Sequence, residues 1–140
     1  MAKVFEKAIK VGPEAIDELN HVNNMVYLEW FLDIATAHGS STGWDLPRML
    51  EMGEGWVVRK HEIEYLAQVL EGEELTLRTW IESVDRVSSV RRYELVRKAD
   101  GRAAARGSTV WVWINYKTGR PCRIPAALVE SYGFTVADKA

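Results

Sequence analysis

From Asn23 to His38 the chain runs without glycine or proline, and Val26, Tyr27, Trp30, Phe31, Ile34, Ala35 and Ala37 recur at three- and four-residue spacings. That is the period of a helix. Leu28 and Leu32 add apolar groups on a further side. A helix apolar around so much of its circumference is surrounded by protein, so the rest of the chain has to wrap it. Gly39 follows, and it is expected to stop the helix as a C′ glycine.

What remains reads mostly as strand. Residues 3–11 alternate Phe5, Lys7, Ile9 and Val11 against Val4, Glu6, Ala8 and Lys10, and Gly12-Pro13 ends the run. Segments 55–69, 73–85, 87–98 and 103–116 are rich in Val, Ile, Thr, Trp and Tyr, with Glu71-Gly72, Asp100-Gly101 and Thr118-Gly119 in turns between or after them. These are strand and turn signals. In the last segment Trp111 and Trp113 project to one face, and Val110, Val112 and Ile114 to the other. The helix covers one face; a second subunit is the economical cover for the other. The expected fold is therefore α+β: a five-stranded antiparallel sheet wrapped around one long central helix, the hotdog architecture, assembled as a homodimer or homotetramer.

With 140 residues and 47% hydrophobic composition, a single core and a single domain over 1–140 are expected. There is no Pro/Gly/Ser-rich linker and no internal repeat. A net charge of −2 leaves no electrostatic footprint for nucleic acid. The first residues, MAKVFEKAIK, have no apolar core of the kind a leader needs, and no apolar run is long enough to span a membrane. The lone Cys122 forms no internal disulfide, which suits a reducing cytoplasm.

Against this frame, DELNHVNNMVYLEWF (residues 17–31) places a carboxylate, a histidine and three amide side chains at the mouth of the apolar helix. The pattern Asp17, His21, Val22, Asn23, Asn24, Tyr27, Leu28, Trp30 resembles the signature of hotdog-fold thioesterases, the 4-hydroxybenzoyl-CoA thioesterase-like and acyl-ACP thioesterase-like groups. HEIEYLAQVLEGEELTLRTWI resembles the family's second and third strands and TGRPCRIP the end of its last strand, so the likeness covers nearly the whole chain. It implies hydrolysis of acyl-CoA or acyl-ACP thioesters to free acid and thiol, with no cofactor. It also implies Asp17 as base or nucleophile, and backbone amides near Asn24 and Met25 as the group that polarises the carbonyl. The chemistry is coherent, because the first amides of a helix are unpaired donors at the positive end of its dipole, a ready oxyanion site.

Each residue also has a plainer reading. Asp17 can satisfy loop amides, His21 can take a direct part in catalysis or be a packed histidine that holds the loop, and Asn23 is a favoured helix cap. Asn24 matters through its backbone amide whatever its side chain does. The sequence departs from its relatives as well. Plant acyl-ACP thioesterases resemble D-x-N-x-H, whereas here the middle residue is Leu19 and Asn20 stands beside the histidine. The 4-hydroxybenzoyl-CoA type has Gly at the Asn20 position, and asparagine tolerates positive φ better than most residues. A second hotdog lineage carries its carboxylate on the helix, where this chain has Glu29 and Asp33.

Substrate contacts are expected from Asn23, Met25, Tyr27 and Trp56, with Trp30 and Phe31 along the acyl group. Arg86, Arg91 and Arg123, near strand ends, are expected at CoA phosphates or an acidic carrier protein. GSSTG (39–43) matches the G-x-S-x-G nucleophile elbow, but it follows a helix in a chain too short for that fold. No metal is expected, because His21, His38, His61 and Cys122 lack ligand spacing. The alternative function is a non-catalytic hotdog module that binds an acyl carrier or lipid.

Overall fold

The computed structural model describes residues 3–134. Five strands, β1 (Phe5–Lys10), β2 (Glu54–Tyr65), β3 (Glu74–Val84), β4 (Ser88–Arg97) and β5 (Ala103–Asn115), form one sheet in the order β1-β3-β4-β5-β2. All four pairings are antiparallel, and β1 and β2 are the edges. The long helix α1 (Asn24–Ser41) lies on one face of the sheet, as a hotdog fold requires.

The residues of α1 that meet the sheet are Tyr27, Phe31, Ile34, Ala35 and His38, all buried. Their spacings of four, three, one and three trace a single helical stripe. They pack against Leu75 and Leu77 of β3, Tyr93 and Leu95 of β4, and Ala105 of β5. Phe31 stacks on Tyr93 with centroids 4.6 Å apart and planes 3° apart. Its ring sits so close to β5 that a Cβ on Gly107 would come within 2.7 Å of it, and within 2.9 Å of the Glu62 carbonyl. Glycine at 107 is what lets the helix approach the sheet.

Gly39 does not stop the helix. α1 continues two residues to Ser41, with Thr42 as its C-cap and Gly43 in the left-handed region at φ 89°. Gly39 serves a close approach instead, since a Cβ there would lie 3.2 Å from the Trp44 carbonyl oxygen and 3.4 Å from the Tyr132 hydroxyl. The strand expected over 55–69 ends at Tyr65. Two short helices were not expected: α2 (Leu46–Met52), capped by Asp45, and α3 (Ala126–Ser131). Together with the chain around Trp44, they build a second core of Ile81, Trp113, Ile124, Leu128, Val129 and Tyr132 at one end of the sheet.

The far side of α1 is only partly covered, with Leu28, Trp30 and Leu32 half-buried. On the opposite face of the sheet Val112 is buried while Val110 and Ile114 are half-buried. Among the described residues no helix is long and apolar enough to cross a membrane.

Candidate active site

The segment before α1 folds back on itself. Ile16 and Val22 form an antiparallel bridge, the Asn23 N–H donates to the Ala15 carbonyl at 2.9 Å, and the Asp17 N–H donates to the His21 carbonyl at 2.9 Å. Asn20 closes the loop at φ 64°, the conformation its asparagine side chain tolerates. Asp17 is half-buried inside this loop. Its Oδ1 accepts the Leu19 N–H at 2.9 Å and the His21 N–H at 3.4 Å. Its Oδ2 has no hydrogen bond among the described residues.

The same loop sets the start of the helix. Asn23 is the N-cap, and its Oδ1 accepts the Met25 N–H at 2.9 Å. The Asn23 carbonyl accepts the Val26 N–H at 2.9 Å. The Asn24 N–H, by contrast, has no acceptor among the described residues and stands exposed at the positive end of the dipole of α1. Of the two amides expected to polarise a carbonyl, Met25 is occupied and Asn24 is open. The Asn24 carbonyl accepts from Tyr65 Oη at 3.2 Å, which ties this corner to the end of β2. The Tyr65 ring meets Tyr27 edge-on at 5.0 Å. Burial, and next the neighbouring Tyr65 hydroxyl, push the Tyr27 phenol above its ordinary range. The Leu19 and Met25 side chains stand 71% and 70% exposed at the corner.

A cavity of about 200 Å³ lies elsewhere, between the last turns of α1 (Ala35, Thr36, Gly39), Trp44, Met49 of α2, and Trp56, Ile81, Arg91 and Trp111 of the sheet. Within one chain it is far from Asp17. Eleven residues of helix separate Asn24 from Ala35, about 16 Å at the rise of an α-helix.

The expected site residues are thus divided. Asp17, His21, Asn23, Asn24 and Met25 come together at the helix start, and Tyr27 backs them as a buried core residue. Trp56 lines the cavity, whereas Trp30 and Phe31 pack against the main core. Arg86 and Arg123 are exposed, and the Ile124 N–H donates to the Arg86 carbonyl at 3.0 Å, so these two arginines are neighbours at the cavity end of the sheet. Arg91 is not at the surface with them. It lies within β4, paired with Ile81 and Thr109, and is 4% exposed beneath α1. A buried guanidinium there does not reach the phosphates of a bulky, hydrated ligand.

Glu29 and Asp33 on α1 are exposed. Ser41 is the last residue of α1 and donates to the His38 carbonyl at 2.7 Å, so no strand precedes the GSSTG stretch. Burial pushes the Cys122 thiol up, and the nearby Glu54 carboxylate adds to it, which disfavours the thiolate. No group of three or more His, Cys, Asp or Glu that could hold a metal ion occurs among the described residues.

Residues 11–131 match the family model of the thioesterase-like superfamily. The chain belongs to that superfamily. Solved structures superpose on this superfamily member closely. A Staphylococcus aureus protein in complex with CoA gives a TM-score of 0.89 at 20% identity, over 100% of this chain and 88% of that one. A 1,4-dihydroxy-2-naphthoyl-CoA thioesterase from Synechocystis gives 0.86 at 17%, over 93% and 96%. A Lactobacillus plantarum protein described as an oleoyl thioesterase gives 0.87 at 18%, over 94% of this chain and 51% of that one, so this chain spans about half its length. At these identities the likeness is one of fold. No curated protein matches the sequence.

Proposed function

We propose that this chain is an acyl thioesterase that hydrolyses acyl-CoA or acyl-ACP thioesters to free acid and thiol. One observation carries the reading: Asn24 N–H, unpaired among the described residues, begins an 18-residue helix in the same corner as a carboxylate whose Oδ2, that of Asp17, has no hydrogen bond among the described residues. The thioester carbonyl oxygen accepts from Asn24 N–H, where the helix dipole favours the negative charge that develops on it. Asp17 Oδ2 then acts in one of two ways. As a base it takes a proton from water, whose oxygen attacks the carbonyl carbon; as a nucleophile it attacks that carbon itself, and water cleaves the resulting anhydride. Either way the C–S bond breaks and the leaving thiolate takes up the proton that the attacking water loses. Asp17 passes it on in the first route; in the second it is released when water cleaves the anhydride and restores the Asp17 carboxylate. His21, half-buried in the same loop, holds its shape through its backbone carbonyl and N–H.

We further propose that the enzyme works as a homodimer, alone or within a tetramer, joined through β2. That strand is a sheet edge twelve residues long with Val57 and Val58 36% and 40% exposed. The unpaired backbone groups along such an edge are a template for a second chain, with a bulge between Val58 and Lys60 as the one break in its register. Two-fold pairing of identical edges is antiparallel, so the Tyr65 end of one β2 lies beside the Trp56 end of the other. Tyr65 marks the Asp17–Asn24 corner and Trp56 marks the cavity. Pairing therefore brings the reacting groups of one protomer to the acyl cavity of its partner and covers the half-exposed side of α1. Arg86 and Arg123 offer charge for the phosphates of CoA or for an acidic carrier protein.

A panel of aryl, short-chain and long-chain acyl-CoA and acyl-ACP substrates, assayed for released thiol, tests the reading. Turnover of at least one class, absent in Asp17→Asn, is expected. Binding of acyl carriers without any turnover would make the chain a silent binding module instead.

A further inference from the structure

The cavity buries a cation whose charge no acid of the described chain meets. Arg91 Nη1 donates to His38 Nδ1 at 2.9 Å and to Thr79 Oγ1 at 3.0 Å, and Nη2 donates to Tyr132 Oη at 3.5 Å. The Tyr132 ring centroid lies 5.6 Å from the guanidinium carbon. Thr79 and Tyr132 are uncharged. His38 is neutral as well, because burial, and then the charges of Arg91 and Lys3, hold its imidazole down to about 4. No carboxylate pairs with Arg91 among the described residues. The one acid lining the cavity, Asp45, caps α2 by accepting the Arg48 N–H at 3.0 Å.

Removing an ionised side chain from water costs several kcal/mol unless an opposite charge meets it. Arginine cannot escape that cost by losing its proton. If tying α1, β3 and α3 together were the only task, a neutral donor would serve it without a buried charge. A second buried donor lies in the same wall. Trp111 Nε1 is enclosed with no hydrogen-bond partner, and its weak interaction with the Tyr93 hydroxyl lacks hydrogen-bond geometry. The remaining wall, with Trp44, Met49, Trp56 and Ile81, is apolar and aromatic.

We propose that this cavity selects acyl groups that carry an acid at the end remote from the thioester, with Arg91 receiving that second carboxylate. The proposal rests on the thioesterase reading above and names its substrate class. The guanidinium fork matches a carboxylate, and such charge-assisted pairs are the strong ones. Size narrows the class further. A cavity near 150 Å³ holds a benzene ring, so one of about 200 Å³ takes a substituted single ring or a short diacid chain. A neutral acyl group of the same shape fills the space but leaves the guanidinium unanswered, and sites built for a polar partner discriminate against the analogue that lacks it.

Two matched pairs test this: 4-carboxybenzoyl-CoA against benzoyl-CoA, and glutaryl-CoA against pentanoyl-CoA. In the wild-type protein kcat/KM for the acidic member should exceed that for the neutral one by at least about tenfold. In Arg91→Met the ratio should fall to within about threefold, with KM for the acidic member carrying most of the loss. Because Arg91→Met also removes a cross-link, a second measurement uses the wild-type protein alone. Benzoate should quench the tryptophan fluorescence of the cavity, and benzamide should not. Equal or better kcat/KM for the neutral members of the wild-type pairs overturns the proposal and leaves the thioesterase reading standing. If no thioester is hydrolysed yet benzoate binds in preference to benzamide, the reverse holds. Equal response to benzoate and benzamide overturns the anion subsite on either reading.

Discussion

Asn23 decides which helix amide is open. By capping α1 through Met25 N–H it leaves Asn24 N–H as the donor, a choice the motif does not reveal because both amides follow it equally. Asp17 has a similar division of labour, with Oδ1 holding the loop and Oδ2 without a hydrogen bond among the described residues. Asp17→Asn keeps an oxygen for the Leu19 and His21 amides while removing charge and basicity. We expect kcat to fall by at least about a hundredfold while KM and the melting temperature change far less; a joint loss of stability and binding would mark Asp17 as a loop-holding residue only. Ser41→Ala should leave turnover unchanged, since its hydroxyl serves the end of α1. His38 gives a pH signature. It stays neutral in the fold down to about 4 but takes up a proton near 6.5 when unfolded. The unfolded chain therefore binds more protons between those values, and stability falls as pH drops from 6.5 toward 4. Denaturation midpoints at pH 7 and 4.5 should differ less in His38→Gln than in the wild-type protein.

At the scale of elements, the strands and the long helix were legible because each carries a sustained period, two or 3.6, over many residues. α2 and α3 were not. Seven and six residues hold less than two turns of pattern each, and their marks are local: Asp45 capping, Pro47 in the first turn, Gly53 at φ 77°, and Pro125 before α3. Glycine stops helices and also permits close approach, and sequence alone does not show that the Trp44 carbonyl lies 3.2 Å from where a Cβ on Gly39 would stand. The Asp17–Asn24 corner was legible because its residues are contiguous. The burial of Arg91 was not, for it depends on β4 register against Thr79 and Thr109 and on α3 closing over the end of the sheet. Gly107 supplies a test of how tightly helix and sheet meet. Gly107→Ala forces its new methyl into Phe31 and the Glu62 carbonyl, and we expect a loss of about 1–3 kcal/mol in denaturant unfolding. An unchanged midpoint would mean that α1 rides higher over β5.

For the whole molecule, the Asp17–Asn24 corner and the cavity beside Arg91 lie apart within one chain, and the proposed dimer is what would bring them together. A single chain holds Asp17 and Asn24 about 16 Å or more of helix away from Ala35 and its cavity, and pairing through the β2 edge is the proposed way to join them across a two-fold. The protein should sediment as a dimer or larger at micromolar concentration, and Val57→Glu with Val58→Glu should shift it toward monomer and abolish turnover together. The most direct measurement mixes two inactive variants. Asp17→Asn lacks the reacting carboxylate; Thr36→Phe fills the cavity from an exposed position on α1. If one site takes Asp17 from one protomer and its cavity from the other, a mixed dimer has one site with both defects and one with neither. Unfolding and refolding the two variants together in equal amounts should then restore about a quarter of wild-type turnover. No recovery, with mixed dimers shown to have formed, would contradict the account and place the whole site within one chain.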